Sequence, residues 1–167
     1  MKTIKIFLTL TLLFCSSTAV WSQSTAFLNS SKILASMPEV KGVQTELQEY
    51  ESKLKGDLQF EINKLQTKYN DWQKSLQSVG QQQAQQTKEA LDKEKQQLFV
   101  VEQSIPGSIQ QKQQELMKPV YEKVNALVAV IAKEKGYTLV LDTGTGSVVY
   151  GDDKVNITQL VIDRIKQ

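Results

Sequence analysis

The sequence predicts an α+β protein in which a small body carries one long α-helical coiled-coil hairpin. Two observations support this fold class. Between residues 38 and 135, apolar side chains recur at steps of three and four, which is the spacing of a helix seam. The flanking stretches, 24–37 and 136–167, are short and mixed, and the second is rich in Gly, Val, Thr and Asp. We therefore expect the two ends of the chain to form the body and the middle to form a projecting arm.

The first 22 residues have the layout of a cleaved secretory signal peptide. Lys2 and Lys5 are followed by an apolar run too short to span a membrane comfortably, and then by small polar residues. Val20 and Ser22 suit the two specificity positions of a signal-peptidase site. Cleavage is therefore expected between Ser22 and Gln23.

An alternative for this segment is a lipoprotein with lipid attached at Cys15, the only cysteine. Phe14 disfavours it, because the residue before a lipidated cysteine normally has a small side chain. The whole chain has 20 basic and 18 acidic residues. Cleavage would remove the cysteine and two lysines, leaving 18 basic and 18 acidic residues. The expected mature protein is exported, soluble and free of disulfides.

The composition excludes most catalytic chemistry. With no His and one Cys, the chain cannot form a Ser-His-Asp or Cys-His site or a His-based metal site. Asp142, Asp152 and Asp153 lack the alternating spacing of a calcium loop, so turn and cap roles are favoured for them. The glycines at 144 and 146 precede no Lys-Ser/Thr pair, so they indicate a turn rather than a phosphate loop. We expect no catalytic residue, cofactor, metal or nucleic-acid partner.

The body is predicted to combine elements from both ends of the chain. Residues 25–28 are expected to supply a partner strand to the C-terminal part of the body, and a helical turn follows through Ile33 and Leu34. Residues 137–141 and 147–150 are predicted to pair as a β-hairpin, and a short helix capped near Asn156 or Thr158 ends the chain. The body has only 46 residues, so we expect oligomerisation to stabilise it.

The predicted arm spans residues 38–135, and its first helix should begin near Pro38. Ser36 and Glu39 match a capping box around this proline. A heptad-like seam then indicates a coiled coil. Its residues are Val43, Leu47, Tyr50, Leu54, Leu58, Ile62, Leu65, Tyr69, Trp72, Leu76 and Val79.

The seam lapses near residues 78–86, where Gly80 and a Gln-rich run predict the tip of the hairpin. The second helix should end at Gly136. Pro106 and Gly107 interrupt its pattern, and hinges are predicted at Gly80, Pro106 and Gly107. Its seam residues are Leu91, Leu98, Val101, Ile105, Ile109, Leu116, Val120, Val124, Leu127 and Ile131.

Taken in order, these segments resemble the Skp/OmpH family of periplasmic chaperones. The resemblance implies a homotrimer with a small β-barrel-like body and three helical tentacles that enclose a cavity. It also implies ATP-independent holding of unfolded outer-membrane proteins between export and insertion. The residues that carry it are Phe27 to Leu34, Met37-Pro38-Glu39, Lys135 to Asp142, Val149-Tyr150 and Asn156-Ile157-Thr158.

The charge of the arm departs from the strongly basic tentacles of the best-studied type in that family. Residues 39–118 contain 11 Lys and 12 acidic residues. This balance disfavours contact with lipopolysaccharide or an anionic membrane. Two functions stay open at this point: a holdase chaperone, and a structural periplasmic coiled coil or envelope-complex subunit.

Four aromatic side chains of the arm are the candidate client-binding residues. Phe60 and Phe99 lie off the seam and are the better candidates. Tyr69 and Trp72 lie on the seam, where a packing role is favoured over client contact.

Overall fold

The computed structural model describes residues 24–146 and 148–166, so the predicted signal peptide lies outside the described residues. Long helices and a small sheet are present, as predicted. In chain order the elements are β1 (Thr25–Leu28), α1 (Ser30–Ser36), α2 (Pro38–Ser75), α3 (Gln81–Lys135), β2 (Leu139–Asp142), a 3-10 turn (Asp153–Val155) and α4 (Thr158–Ile165).

The arm is an antiparallel hairpin of α2, with 38 residues, and α3, with 55 residues. Residues 76–80 connect the helices, and the Gln-rich run already belongs to α3. The predicted seam lies between the helices, where Leu65, Leu91 and Ile105 are buried. Gly136 ends α3 in the left-handed conformation, with φ 73°, as expected for a glycine stop.

The predicted capping box at the start of α2 is wrong. The Ser36 hydroxyl donates to the carbonyl oxygen of Ile33 at 2.7 Å, within α1. Met37 occupies the N-cap position in an extended conformation, without a side-chain cap bond. Its side chain is fully buried, and Glu39 pairs with Lys123 of α3 instead of reaching back. Packing of Met37 against the body core therefore takes the place of a polar cap.

The sheet of the body agrees with the prediction in part, because the expected partner strand at 25–28 is present as β1. β2 pairs with β1 in parallel, with Thr25 opposite Leu139 and Leu28 opposite Asp142. Residues 148–150 lie in no strand, so the predicted β-hairpin is not formed over the described residues. The Thr143 N–H still donates to the Leu28 carbonyl oxygen at 2.7 Å, and the chain then turns, with the Gly146 N–H donating to the Thr143 carbonyl oxygen at 3.2 Å.

The loop that follows β2 passes close to the ring of Phe27. A Cβ atom added to Gly151 would lie 2.3 Å from that ring, so only a glycine allows this approach. Phe27 also contacts a later part of the C-terminal segment, since its carbonyl oxygen accepts the N–H of Ile157 at 2.9 Å. β1 is therefore the central element around which the C-terminal segment wraps.

One apolar core joins both ends of the chain to the base of the arm. Ile131 of α3 and Val161 of α4 are fully buried in it, together with Ile33 of α1. Asn156 orients α4, because its side-chain oxygen accepts the Thr158 N–H at 3.0 Å. The buried members are Ala26, Leu28, Ile33, Met37, Val120, Val124, Ile131, Ile157 and Val161.

Candidate functional site

Several exposed apolar side chains of the arm lie at one level along its length, apart from others at the tip and base such as Leu76, Tyr121 and Val130. In α2 and α3, Lys68 Nζ lies 2.7 Å from Glu94 Oε1. Because the helices are antiparallel, residues 60–62 must lie beside residues near 100. Five exposed apolar residues meet at this level, and we call them the mid-arm belt: Phe60, Ile62, Phe99, Val100 and Val101.

The belt borders a groove of ≈ 480 Å³ on one side of the arm. Ile62, Leu65 and Tyr69 of α2 line it, facing Leu98 and Phe99 of α3. The structure thus brings two predicted client-binding residues, Tyr69 and Phe99, to one groove. Phe60 is 66% exposed and does not line this groove, so the two off-seam phenylalanines present separate surfaces.

Tyr69 and Trp72 are half-buried and connect the two helices near the tip. The Tyr69 hydroxyl donates to Asp92 Oδ1 at 2.6 Å, and Trp72 Nε1 donates to the Ala84 carbonyl oxygen at 3.0 Å. Their rings meet edge to face, with centroids 6.3 Å apart. These contacts support the packing role favoured by the seam pattern, while client contact by either residue stays a prediction.

Val100, Val101 and Ile62 were not recognised as candidate contact residues from the sequence. Val101 and Ile62 were assigned to the seam, yet they are 47% and 40% exposed. A usable signal exists in residues 98–101, which are four consecutive apolar residues. Such a run in a helix cannot all face one seam, because successive side chains are about 100° apart.

Three ion pairs cross between the helices and define their register. Glu39 pairs with Lys123, Glu46 lies 2.8 Å from Lys112, and Lys68 pairs with Glu94. Among the described residues, no hydrogen bond or ion pair crosses the arm between the Glu46–Lys112 pair and the Lys68–Glu94 pair.

The stretch without cross-arm bonds contains the predicted hinge residues Pro106 and Gly107. α3 continues through Pro106, which has no N–H to donate to the carbonyl of Glu102. The register of the ion pairs places Gly56 of α2 beside Pro106. A Cβ atom added to Gly56 would have no neighbour within 4 Å. Both helices are therefore weakened at one height of the arm, whereas Gly80 lies in the connection at the tip.

Hydrogen bonds lower the pKa of several carboxyl groups. Lys88 and then Tyr69 lower the pKa of Asp92, while the bond to Asp92 raises the pKa of Tyr69. The Lys123 ammonium lowers the pKa of Glu39. The Arg164 guanidinium, which joins α4 to the end of α3, lowers the pKa of Glu134.

Asp142 holds the turn after β2, in the structural role predicted for it. Its Oδ1 accepts the N–H of Ser30 at 3.0 Å and the N–H of Gly144 at 2.8 Å. Partial burial raises the pKa of Asp142, but the bonds from Ser30 and Gly144 outweigh it and leave the pKa below its ordinary value.

The lowered carboxyl pKa values predict a stability that is level near neutral pH and falls in acid. A carboxyl group with a lowered folded pKa stabilises the fold above its unfolded pKa of about 4 and loses that contribution as pH falls through the folded value. Having no His, the chain has no side chain that ordinarily titrates between about pH 5 and 8. We expect Tm by circular dichroism to be level from about pH 5 to 8 and to fall below about pH 4. Asp142→Asn should reduce the acid fall, and a transition near neutral pH would contradict the prediction.

Neither a metal centre nor a membrane span is found among residues 24–146 and 148–166. No group of three or more Cys, Asp or Glu side chains there could hold a metal ion. No helix in the same residues combines the length and apolar character needed to cross a bilayer.

Comparison with known proteins agrees with the resemblance seen in the sequence. A solved structure from Caulobacter crescentus CB15, provisionally assigned as an outer membrane chaperone (OmpH-like), matches with a TM-score of 0.71 and 15% identity. The match covers 85% of this chain and 83% of that chain, and at this identity it shows a shared fold. No curated protein sequence matches the chain. The family model described as "Outer membrane protein (OmpH-like)" matches residues 24–165, and the chain therefore belongs to the OmpH-like family.

Proposed function

We propose that the protein is an ATP-independent periplasmic holdase chaperone that binds unfolded outer-membrane proteins in transit and prevents their aggregation. The observation that carries this proposal is the mid-arm belt, on an arm that projects from a small body. A coiled coil with a purely structural role gains nothing from exposing Phe60 and Phe99 to water. Membership of the OmpH-like family supports the same function. The belt thus favours a holdase over a structural coiled coil or envelope-complex subunit.

We further propose that the protein acts as a homotrimer with a joint β-barrel-like body. A two-stranded sheet is marginal by itself, and Leu139 and Leu141 on β2 are half-exposed. Val149 and Tyr150, in the loop over Phe27, are 100% and 86% exposed. Association through these surfaces would cover them and extend the sheet, and three arms would then surround a shared space.

An aggregation assay tests the holdase proposal directly. A urea-denatured outer-membrane protein is diluted into buffer, and light scattering is followed with and without the chaperone, in the absence of ATP. A holdase should suppress scattering at near-stoichiometric amounts. An unrelated coiled coil of similar length is the control. Scattering that matches this control would favour the structural alternative.

Client binding should depend weakly on salt. The arm is nearly neutral, with 11 Lys and 12 acidic residues between 39 and 118, so long-range attraction of charged clients is small. Apolar burial is nearly indifferent to moderate salt, whereas counterion-driven binding falls by orders of magnitude. We expect the Kd for a denatured client to change less than about threefold between roughly 50 and 500 mM NaCl. A steep loss of binding would show that local lysine clusters hold the client.

Bending of the arm should be concentrated near Pro106 and Gly107. Amide hydrogens of this region and of the tip near Gly80 are expected to exchange faster than those of the ion-paired stretches on either side. Pro106→Ala restores one helix hydrogen bond, so it should slow exchange there and weaken the holding of larger clients more than of small ones. Pro119→Ala, in the ordered base of α3, is the matched control. Uniform protection along the wild-type arm would contradict the hinge.

A further inference from the structure

The mid-arm belt continues around the circumference of the arm. Residues 98–101 of α3 are all apolar, and at about 100° per residue four consecutive side chains cover roughly 300°. Leu98 and Phe99 line the groove, whereas Val100 and Val101 are exposed outside it. Apolar surface is therefore available well beyond the groove itself.

Two members of the belt point away from the seam. Phe60 precedes the buried Leu65 by five residues, and Val100 precedes the buried Ile105 by five residues. Five residues rotate a helix by one full turn and roughly 140° more, so each lies on the outward face of its own helix. Phe60 and Val100 are 66% and 65% exposed, more than Ile62 beside the groove.

The size and shape of the belt fit an extended chain better than a folded surface. Its exposed apolar area is on the order of 500 Å², below the roughly 800 Å² per partner of a stable complex. The area is also wrapped around a rod, so a second folded copy could cover only part of it. Along the helix axis the backbone of residues 99–101 rises only about 3 Å, comparable with the width of one extended strand, about 4.8 Å.

The charges around the belt indicate an occupant without net charge. Residues 96–101 contain no charged side chain. Glu61, between two belt residues, is neutralised by Lys64 at 3.1 Å. Lys95 and Glu102 line the groove and balance one another. A strongly acidic or basic partner would find no complementary field here.

We infer that the belt binds an extended, uncharged, apolar segment of an unfolded β-barrel protein, which crosses the arm and contacts the outward Phe60 and Val100 as well as the groove. The inference rests on the proposed holdase function and adds where on the arm the client lies. Strands of membrane barrels carry alternating apolar side chains, so one extended segment can present several of them to the belt. Clients then contact the helix faces that are turned away from the seam, as well as the groove.

Paired substitutions in the full-length protein separate the two faces. Phe60→Ser with Val100→Ser removes the outward face, and Ile62→Ser with Phe99→Ser removes the groove face. Asn63→Ser with Gln103→Ser, one turn away and exposed, is the matched polar control. The Kd for a fluorescently labelled, urea-denatured outer-membrane protein is measured by anisotropy. We expect both apolar pairs to weaken binding about tenfold and the control pair less than about twofold.

A binding loss confined to the groove pair would overturn the inference, and so would two apolar pairs that both bind like the wild type. In either case wild-type suppression of aggregation could stand, so failure of the inference is distinguishable from failure of the proposed function. A photoreactive amino acid at position 60 or 100 of the otherwise wild-type chain gives a second readout that does not depend on serine variants. We expect cross-links to the client. Cross-links only between chaperone copies would overturn the inference.

Discussion

Replacing Val149 and Tyr150 together with serine is expected to convert the proposed homotrimer to a monomer at micromolar concentration. Both side chains are almost fully exposed in the single chain, on the loop that follows β2. If they are covered on association, their loss removes apolar burial worth about 25 cal/mol per Å² from each contact. Association should weaken at least ~100-fold, equivalent to a change of about 2.7 kcal/mol.

Light scattering coupled to size exclusion measures this change directly. The variant with Phe60→Ser and Val100→Ser is the matched control, because it also removes one aromatic side chain and one valine that are exposed, but from the arm, and it should keep the wild-type mass. Unchanged mass for the loop variant would show that another surface holds the copies together. A wild-type protein that is monomeric at micromolar concentration would contradict the homotrimer proposal.

Ile131→Ala is expected to cause a large loss of folding stability. The side chain is fully buried in the core that joins α3 to both ends of the chain. Truncation of such a residue removes its burial and leaves a cavity, which costs about 2–5 kcal/mol. The neighbouring Val130 is 47% exposed, so Val130→Ala should cost far less.

Urea denaturation followed by circular dichroism measures both variants, at one protein concentration because association contributes to apparent stability. The midpoint for Ile131→Ala should fall well below that of the wild type, while Val130→Ala should stay close to it. Similar midpoints for the two variants would show that the joint between arm and body does not limit stability.

The helices of the arm could be predicted from the sequence because the spacing of apolar residues along a helix is a local signal. The three-and-four spacing predicts which residues pack between α2 and α3, and Leu65, Leu91 and Ile105 are buried accordingly. Strand pairing in the body was predicted only in part, because it depends on distant segments. Residues 25–28 were expected to supply a partner strand, and β1 does so. The tendency of residues 147–150 to form a strand is a local signal, and it does not reveal that β2 pairs instead with β1, more than a hundred residues earlier.

The candidate surface was accessible in part for the same reason. The off-seam positions of Phe60 and Phe99 predicted their exposure, which the structure confirms. The apolar spacing placed Val101 on the seam. Spacing predicts only the direction in which a side chain leaves its helix, not whether another side chain covers it. Whether an edge position is covered depends on the side chains of the facing helix, and at this level they leave Val101 half-open.

The pairing of β1 with β2 also constrains the order in which the chain can fold. Thr138 donates a hydrogen bond to Ser24 across 114 residues. For a flexible loop of that length, the length-dependent part of the closure cost is ~4 kcal/mol. During synthesis from the N-terminus, the body cannot be completed until residues 139–142 of β2 have been made. The helical hairpin, whose contacts near the tip are local, can form earlier and bring the two strands together, so truncation within α3 should leave β1 without a partner even though β1 itself is intact.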